Sequence, residues 1–491
     1  MARTIGIGTQ SFEKIREYQY FYVDKTNFIK EWWENGDDVT LITRPRRFGK
    51  TLTINMVETF FSVNYAGRED IFKDLSIWQE EKYQKLQGTW PMISLSFADI
   101  KEVTYEMAQY KINQLLANLY SRFQFVKDSP VLTTKDRNYW ERVSVNMNVS
   151  DASLVLHNLS EYLYCYYGKK VIILLDEYDT PMQEAYVYGY WEELTGFIRS
   201  FFNSTFKTNP CLGRAIMTGI TRISKESVFS DLNNLEIVTT TSRKYESSFG
   251  FTQEEVSAAL AEYGLSDQQG KVKDWYDGFT FGRLTDVYNP WSIINYLEKK
   301  KFSAYWTNTS SNALVGKLLQ EGNSGVKIAM EDLLNGKAFH TRMDEQIVFS
   351  QLENRESAIW SLLLASGYLR VEHYFFDEER GRDEYDLVLT NKEVRLMFEE
   401  MIEGWFARDT QKYNGFIKAL LQGDCRAMNH YMNRVALETF SFFDSGKRPS
   451  ESTEPERFYH GFVLGLLVEL RNLYVVISNR ESGFGRYDVM L

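Results

Sequence analysis

The short run Gly49–Thr51, which reads Gly-Lys-Thr, constrains the fold of this chain more than any other feature. The segment before it, Val39–Thr43, is apolar and β-branched, which predicts a buried strand. Residues 51–63 after it carry apolar side chains at helical spacing. A glycine turn that leads from a buried strand into a helix opening with Lys-Thr is the setting of a phosphate-binding P-loop.

Each residue of this turn has its own expected task. Gly49 lets the backbone approach phosphates without a Cβ clash. Lys50 supplies a positive charge for the β- and γ-phosphates and is a predicted catalytic residue, and Thr51 offers a hydroxyl ligand to Mg²⁺. The unpaired N–H groups at the start of the helix attract phosphate as well. The predicted cofactor-binding residues of this segment are Arg46, Arg47, Phe48, Gly49, Lys50, Thr51 and Leu52.

The motif departs from the standard pattern at its first position, where Arg44 stands in place of glycine. Taken alone, the segment is therefore also compatible with an ordinary strand-to-helix turn. Arg46 and Arg47 either add charge beside the phosphates or form a solvated basic patch to which nucleic acid binds.

A second segment supplies carboxylates. Val171–Leu175 is the strongest predicted strand in the chain, and Asp176 and Glu177 follow it directly. Asp176 is expected to hold the Mg²⁺ ion and its water shell. Glu177 is expected to orient or deprotonate the attacking water. A strand that ends in a polar turn is common, but its occurrence after a Gly-Lys-Thr turn predicts a nucleotide site that binds ATP and Mg²⁺.

A third segment follows the predicted strand 215–218. Thr221 is the candidate for contact with the γ-phosphate or the attacking water, and Thr218 is the alternative. Arg222 is predicted to stabilise transition-state charge, in its own subunit or in a neighbouring one. An arginine at the protein surface is the equally weighted alternative for Arg222.

The predicted strands alternate with helical segments at about 104–124 and 151–167. This alternation predicts an α/β fold with a parallel sheet and helices on both faces. We assign residues 1–248 to this P-loop ATPase domain. The predicted strands are 39–43, 92–97, 171–175, 215–218 and 236–241.

The pattern changes after about residue 248. Thr252 and Glu255 form a predicted capping box, and mostly helical segments follow to about residue 340. A helix that ends at Gly367 and two short strands then resemble a winged helix, although the acidic loop between the strands argues against a DNA-reading wing. These features define a helical and winged-helix-like region at 249–400. The two strands are 368–376 and 385–389, and a further hairpin is predicted from 474–478 and 487–491.

Composition excludes several classes of protein. A formal net charge of -11 excludes a uniformly basic surface for nucleic acid. The 3 cysteines form no Cys-x-x-Cys pair, which argues against a zinc site or a disulfide framework. The absence of a long apolar run predicts no membrane partner, and the lack of a secretory signal predicts a cytoplasmic location.

Several segments together resemble the bacterial AAA-ATPase-like family, whose members typically carry a C-terminal PD-(D/E)XK nuclease-like domain. The resemblance implies an ASCE-type P-loop sheet, in which an extra strand lies between the strands that precede Lys50 and Asp176. The predicted strand 92–97 is our candidate for it. Arg44 in the first-glycine position is usual in that family. The segments that carry the resemblance are Phe21–Thr26, Arg44–Thr51, Leu174–Asp179, Trp275–Phe279 and Val287–Ser292.

The same resemblance implies an incomplete PD-(D/E)XK nuclease-like α/β domain at 401–491. Asp488 fits the first acidic, metal-binding position, and Glu456 is a candidate upstream carboxylate. No Glu-x-Lys follows before Leu491. We therefore expect no metal-dependent DNA cleavage by this polypeptide.

Three functions compete at this point. The first is a MgATP-hydrolysing ATPase coupled to nucleic acid processing, with DNA or RNA bound through a local basic patch. The second is an ATP-dependent signalling or regulatory switch with a degenerate nuclease module. The third is a binding module with a vestigial P-loop, which Glu177 beside Asp176 disfavours. The sequence leaves the oligomeric state open.

Overall fold

The computed structural model describes most of the chain, and Arg222 and Glu456 lie outside the described residues. The chain forms two compact units, Met1–Leu314 with His340–Glu393 and Val315–Phe339 with Val394–Leu491. None of the described helices combines the length and the apolar character needed to cross a membrane. The described residues are 2–221, 228–229, 232–309, 313–322, 324–343, 356–407, 416–417, 419–431, 467, 474–475, 477–482 and 485–490.

The helices and strands follow one another in a mixed order. The strands are β1 (Val39–Thr43), β2 (Met92–Ser96), β3 (Val171–Asp176), β4 (Leu212–Gly219), β5 (Leu235–Val238), β6 (Phe279–Phe281), β7 (Leu284–Val287), β8 (Phe339–Arg342), β9 (Leu369–Asp377), β10 (Arg382–Leu389), β11 (Ile477–Ser482) and β12 (Gly485–Met490). The helices are α1 (Phe12–Glu17), α2 (Asn27–Asn35), α3 (Lys50–Phe61), α4 (Glu81–Gln84), α5 (Tyr105–Arg122), α6 (Gln124–Lys127), α7 (Thr134–Arg142), α8 (Val149–Tyr167), α9 (Thr180–Tyr188), α10 (Trp191–Phe202), α11 (Gln253–Glu262), α12 (Gln269–Tyr276), α13 (Pro290–Lys299), α14 (Ala313–Glu321), α15 (Ser324–Leu334), α16 (Glu356–Ala365) and α17 (Lys392–Ala407).

The first unit is built on a five-stranded parallel sheet with the strand order β2-β3-β4-β1-β5. Every residue of β1 and β3 is buried. Burial on both faces is expected where helices cover both sides of a parallel sheet, and it explains why these two strands read as continuous apolar runs. The predicted parallel α/β sheet flanked by helices is confirmed.

A strand does lie between β1 and β3, as the resemblance implies, but our candidate for that strand is wrong. The strand that lies between β1 and β3 is β4, whereas the candidate at 92–97 corresponds to β2 at the sheet edge. Hydrophobic periodicity identifies strands but does not identify their neighbours, because pairing depends on contacts distant in sequence. The burial of Ala215–Gly219 at the carboxyl end of β4 fits its central position.

The strand order determines which side chains meet. The carboxyl ends of parallel strands lie at the same edge of a sheet, where ligands of open α/β sheets bind. Thr43 therefore ends β1 at the edge where Asp176 ends β3 and Thr218 lies near the end of β4. This edge brings together segments that are far apart in the sequence.

The region after the sheet contains more strand than we predicted. The capping box at α11 is confirmed, with the Thr252 N–H donating to Glu255 Oε2 at 2.8 Å and the Glu255 N–H donating to Thr252 Oγ1 at 3.3 Å. However, β6 and β7 form an antiparallel hairpin within a stretch expected to be mostly helical. These strands are only three and four residues long, too short for a clear alternating pattern.

The predicted helix and hairpin near residue 367 are present as α16, β9 and β10. A third strand, β8, joins them in a sheet of order β8-β10-β9 that the sequence did not indicate. Near the end of the chain, β11 and β12 pair antiparallel, and Asp488 lies in β12. The nuclease-like assignment of this segment stays a prediction.

Candidate functional site

The loop from β1 to α3 has an unusual backbone. Gly49 precedes the helix at a φ of 84°, in the left-handed region where glycine carries no steric penalty. Arg47 also has a positive φ, 66°, which is uncommon for a residue with a side chain. No side chain caps α3 at its start, so the first N–H groups of the helix are available to an anion.

Lys50 is buried beneath this loop. Its side chain is 3% exposed, and its ammonium group lies 3.8 Å from Oε1 of Glu177. The Nζ atom donates to the carbonyls of Arg44 at 2.9 Å and Pro45 at 3.0 Å. The loop thus folds around the ammonium group, which faces a carboxylate from the end of β3.

Asp176 is held by two hydroxyl groups. Thr51 Oγ1 donates to its Oδ2 at 2.7 Å, and Thr218 Oγ1 donates to its Oδ1. Burial raises the pKa of Asp176, and the nearby charge of Glu177 adds to the effect, while the two hydroxyl groups oppose it. The predicted metal ligands Thr51 and Asp176 are therefore in direct contact.

Glu177 sits in a strained backbone turn. Its φ is 52°, and its N–H donates to Thr218 Oγ1 at 3.3 Å. Positive φ in a residue other than glycine is costly and occurs preferentially at functional sites. The turn leaves the Glu177 side chain 20% exposed, in the wall of the cleft that Lys50 also lines.

Thr221 lies away from the Asp176 carboxylate. Its N–H and its hydroxyl both donate to Asp179 Oδ2 at 2.8 Å, and the Ile220 N–H donates to the same oxygen at 3.0 Å. The alternative candidate, Thr218, is the threonine that contacts Asp176. The cleft itself does not distinguish the two threonines, because Thr218 and Thr221, like Asp176 and Asp179, are absent from its described lining.

Tyr178, in the turn after β3, and Gly219, at the end of β4, have packing roles that the sequence did not reveal. Tyr178 is fully buried, and its hydroxyl donates to the Thr221 carbonyl at 2.7 Å. A Cβ on Gly219 would lie 2.6 Å from the Tyr178 ring and 2.7 Å from Asp179 Oδ1. Gly219 therefore permits the close approach that joins the end of β4 to the turn after β3.

A cleft of about 400 Å³ opens beside the loop. Every predicted residue from Arg46 to Leu52 lines it. Cations dominate its charge although the chain as a whole carries -11, so the local potential favours an anionic ligand. The charged side chains in the described lining are Lys25, Arg46, Arg47, Lys50, Lys101 and Glu177.

Arg44, at the first-glycine position, points away from this cleft into the protein. It is fully buried and donates to the carbonyls of Thr239 at 2.6 Å and Thr43 at 2.9 Å. Its guanidinium carbon lies 4.6 Å from the centre of the Phe281 ring and 5.7 Å from that of Phe249. Burial lowers the pKa of Arg44 to about 9, so the group remains charged at neutral pH.

The segments after the sheet support the loop. Phe48 is 1% exposed and packs against Phe279, with a centroid distance of 4.7 Å. Arg47 lies over the Trp291 ring at 4.5 Å, and Asn289 Nδ2 donates to the Arg46 carbonyl at 3.3 Å. We predicted no chemical role for Trp275–Phe279 or Asn289–Ser292 from the sequence. An Asn-Pro pair signals a helix start, but its contact with a loop 243 residues away had no sequence signal.

The sheet order and the loop between β1 and α3 define a P-loop-like α/β domain. Residues 6–229 match the model of the AAA-ATPase-like family, described as predicted AAA-ATPase. A protein of Azotobacter chroococcum mcd 1, known as an uncharacterized protein in the vnfD 5' region, is 25% identical over 402 residues. That similarity covers 82% of this chain and 70% of the relative. The family match ends before the segment with the predicted nuclease resemblance.

Proposed function

We propose that this protein binds ATP together with Mg²⁺ in the cleft beside Lys50 and hydrolyses it. The observation that carries the proposal is that a lysine–glutamate pair and a threonine–aspartate pair lie together at one edge of the sheet. Lys50 lies 3.8 Å from Glu177, and Thr51 lies 2.7 Å from Asp176. A cation, a hydroxyl and two carboxylates in this arrangement are the groups that P-loop ATPases use for phosphoryl transfer.

The cleft suits a triphosphate. The uncapped start of α3 offers N–H groups, and Arg46 and Arg47 add positive charge beside Lys50. Lys50 donates to two neutral carbonyls, and anionic phosphate oxygens would be stronger acceptors for its ammonium group because both partners would then be charged. The positive charges and N–H donors around Lys50 therefore favour a ligand with several anionic oxygens.

The residues present also fit Mg²⁺. No cluster of three or more His, Cys, Asp or Glu side chains in the described part of the chain is arranged to hold a metal ion. Thr51 and Asp176 instead form a two-residue oxygen pair, which suits Mg²⁺ because this ion usually takes few protein ligands and keeps water and phosphate oxygens. When bound, the ion would neutralise phosphate charge.

Glu177 is the proposed water-orienting or basic residue. Its carboxylate lines the cleft within reach of Lys50, while its strained backbone is held by Thr218. Thr218 also holds Asp176, so one hydroxyl positions both carboxylate residues. Of the two threonine candidates we favour Thr218, because its hydroxyl bonds to the proposed metal ligand Asp176, whereas the hydroxyl of Thr221 bonds to Asp179. Arg222 stays a sequence-based prediction of transition-state charge.

Mg²⁺-dependent phosphate release from ATP tests the proposal. The parent protein is expected to release phosphate, and Asp176→Asn is expected to lose most of that rate because the metal-binding charge is gone. Asp151→Asn, which changes a carboxylate that pairs with Arg142 at 3.1 Å outside the described cleft lining, is the matched control and should behave as the parent. Equal rates in all three proteins would reject Asp176 as the site.

The same assay separates the two cellular functions that the sequence left open. An ATPase coupled to nucleic acid processing should show a higher kcat when DNA or RNA is added. A regulatory switch should show slow turnover that neither nucleic acid changes, together with a nucleotide-dependent change in proteolytic sensitivity.

A further inference from the structure

We infer that the apolar part of the cleft is a nucleoside-binding subsite, formed by Ile5, Val23 and Ile294, which we call the apolar wall. This inference rests on the proposed function, and it concerns the nucleoside part of the ligand, which the phosphate-binding loop beside Lys50 does not contact. All three side chains line the cleft and are half-buried. Ile5 and Val23 belong to the N-terminal segment, and Ile294 belongs to α13.

The apolar wall has a firm backing. Ile5, Val23 and Ile294 pack against a buried cluster that includes Phe21, Phe251 and residues of α11 and α13. Side chains backed by a close-packed core keep their positions. The wall therefore presents fixed aliphatic surface to a cleft whose charged lining is mostly cationic. Apolar surface with a few polar groups is typical of a small-molecule site.

The N-terminal segment that carries Ile5 and Val23 is fixed at both sides of the wall. Arg3 pairs with Glu262 at 2.7 Å, and its guanidinium carbon lies 4.9 Å from the centre of the Phe21 ring. Lys25 pairs with Glu255 at 2.7 Å. Both carboxylates belong to α11, so this helix holds the segment in place. A subsite formed in advance costs little ordering entropy on binding.

Helix α13 connects the wall to the phosphate-binding loop. Trp291 in its first turn contacts Arg47, and Ile294 lies three residues further on, which places it on the same helix face. The loop and the wall thus belong to one cleft, whose volume of about 400 Å³ lies in the range of small-molecule sites. A ligand with an anionic chain and a flat, weakly polar end matches this lining, which is the chemistry of a nucleoside triphosphate.

The subsite makes a prediction that phosphate binding alone does not. In the presence of Mg²⁺, the parent protein should bind ATP at least about tenfold more tightly than inorganic tripolyphosphate, since only ATP contacts the wall. Ile5→Ala and Ile294→Ala should each weaken ATP binding by about tenfold and leave tripolyphosphate binding within about twofold. Tripolyphosphate therefore also shows that the loop is intact in each variant.

Ile7→Ala is the matched control. Ile7 belongs to the same N-terminal segment but is 40% exposed and is not among the described residues of the lining. Calorimetric titration of the four proteins with both ligands should show parental affinities for Ile7→Ala. Equal affinity of the parent for both ligands, or equal weakening of both ligands by the wall variants, would overturn the subsite while the proposed function stands. A parent that binds neither ligand would reject the proposed function and the subsite together.

Discussion

The Thr51 hydroxyl donates a 2.7 Å hydrogen bond to Oδ2 of Asp176, across 125 residues of sequence. This bond joins the start of α3 to the end of β3. Strand β4 lies between β1 and β3 in the sheet, and its Thr218 hydroxyl donates to the other carboxylate oxygen of Asp176. Asp176 is thereby fixed from both sides before any ligand binds, which is the kind of preorganisation that electrostatic catalysis requires.

The first prediction concerns Thr218. Thr218→Val keeps the shape of the side chain but removes the hydroxyl that contacts Asp176 and the Glu177 N–H. We expect kcat to fall by about tenfold or more while the Kd for ATP changes by less than about threefold, as for loss of a positioning hydrogen bond. Thr218→Ser, which retains the hydroxyl, should recover most of the rate in a steady-state phosphate-release assay. Equal rates for the two variants would show that the hydroxyl is not used.

The second prediction separates nucleotide binding from chemistry. Glu177→Gln should still bind ATP but hydrolyse it about 10²-fold more slowly, because the amide is a poor base. Asp179 cannot replace it, since its carboxylate is buried and accepts hydrogen bonds from Ile220 and Thr221. Asp179→Asn should therefore lower the melting temperature. The folded variant should hydrolyse ATP at close to the parental rate. If Glu177→Gln kept the parental kcat, the base would have to be another group.

The third prediction concerns the first position of the loop motif. Replacing Arg44 by glycine restores the standard P-loop pattern, yet it removes the side chain that stacks on Phe281 and bonds to the Thr239 carbonyl. We expect Arg44→Gly to bind ATP at least about tenfold more weakly, because a cavity would form beside the loop. Arg44→Lys should recover little, since lysine lacks the planar fork of donors. Calorimetric titration with ATP, well below the melting temperature, measures the affinity of each variant. Parental affinity in Arg44→Gly would show that the Arg44 side chain does not support the loop.

The fourth prediction concerns a buried carboxyl group in the first unit. Glu393 is fully buried and accepts a 2.8 Å hydrogen bond from the Ser292 hydroxyl. Burial raises the pKa of Glu393 from its ordinary 4.5 to about 7. Between these values the folded protein retains a proton that the unfolded chain releases, so stability falls as the pH rises from 4.5 to 7.

The neutral variant Glu393→Gln should remove this dependence. A raised pKa of this size corresponds to about 3 kcal/mol of lost stability once the pH exceeds both values. The variant should therefore gain melting temperature relative to the parent between pH 5 and pH 8. Calorimetric melting at the two pH values measures the difference, and parallel behaviour of the two proteins would argue against a proton on Glu393.

The sequence predicted which local segments meet at the candidate site. Buried strands and the turns that follow them have a local pattern, which singled out Lys50, Thr51, Asp176 and Glu177, and the structure brings these residues together while their roles stay predictions. The threonine after β4 was less certain. Two candidates three residues apart fit the same pattern, and only the hydrogen bonds to Asp176 and Asp179 distinguish Thr218 from Thr221.

The remaining features depend on contacts between distant segments. The central position of β4 follows from strand pairing, which hydrophobic periodicity does not encode. The burial of Arg44 between Phe249 and Phe281 and the contact of Asn289 with the loop arise only when the chain is folded. The hairpin of β6 and β7 was not predicted because its strands are too short to show an alternating pattern. Its Phe279 nevertheless packs against Phe48 of the loop.

Calorimetric titration of ATP with Mg²⁺ into Lys50→Ala tests whether ATP binds in the cleft beside Lys50. Lys50 is 3% exposed and is the cation nearest Glu177 in the described site, so its removal should abolish measurable ATP binding. The matched control is Lys30→Ala, since Lys30 is 40% exposed and pairs with Glu80 on the surface. We predict parental affinity for Lys30→Ala and no detectable binding for Lys50→Ala. Parental affinity for ATP in Lys50→Ala would show that ATP does not bind beside Lys50.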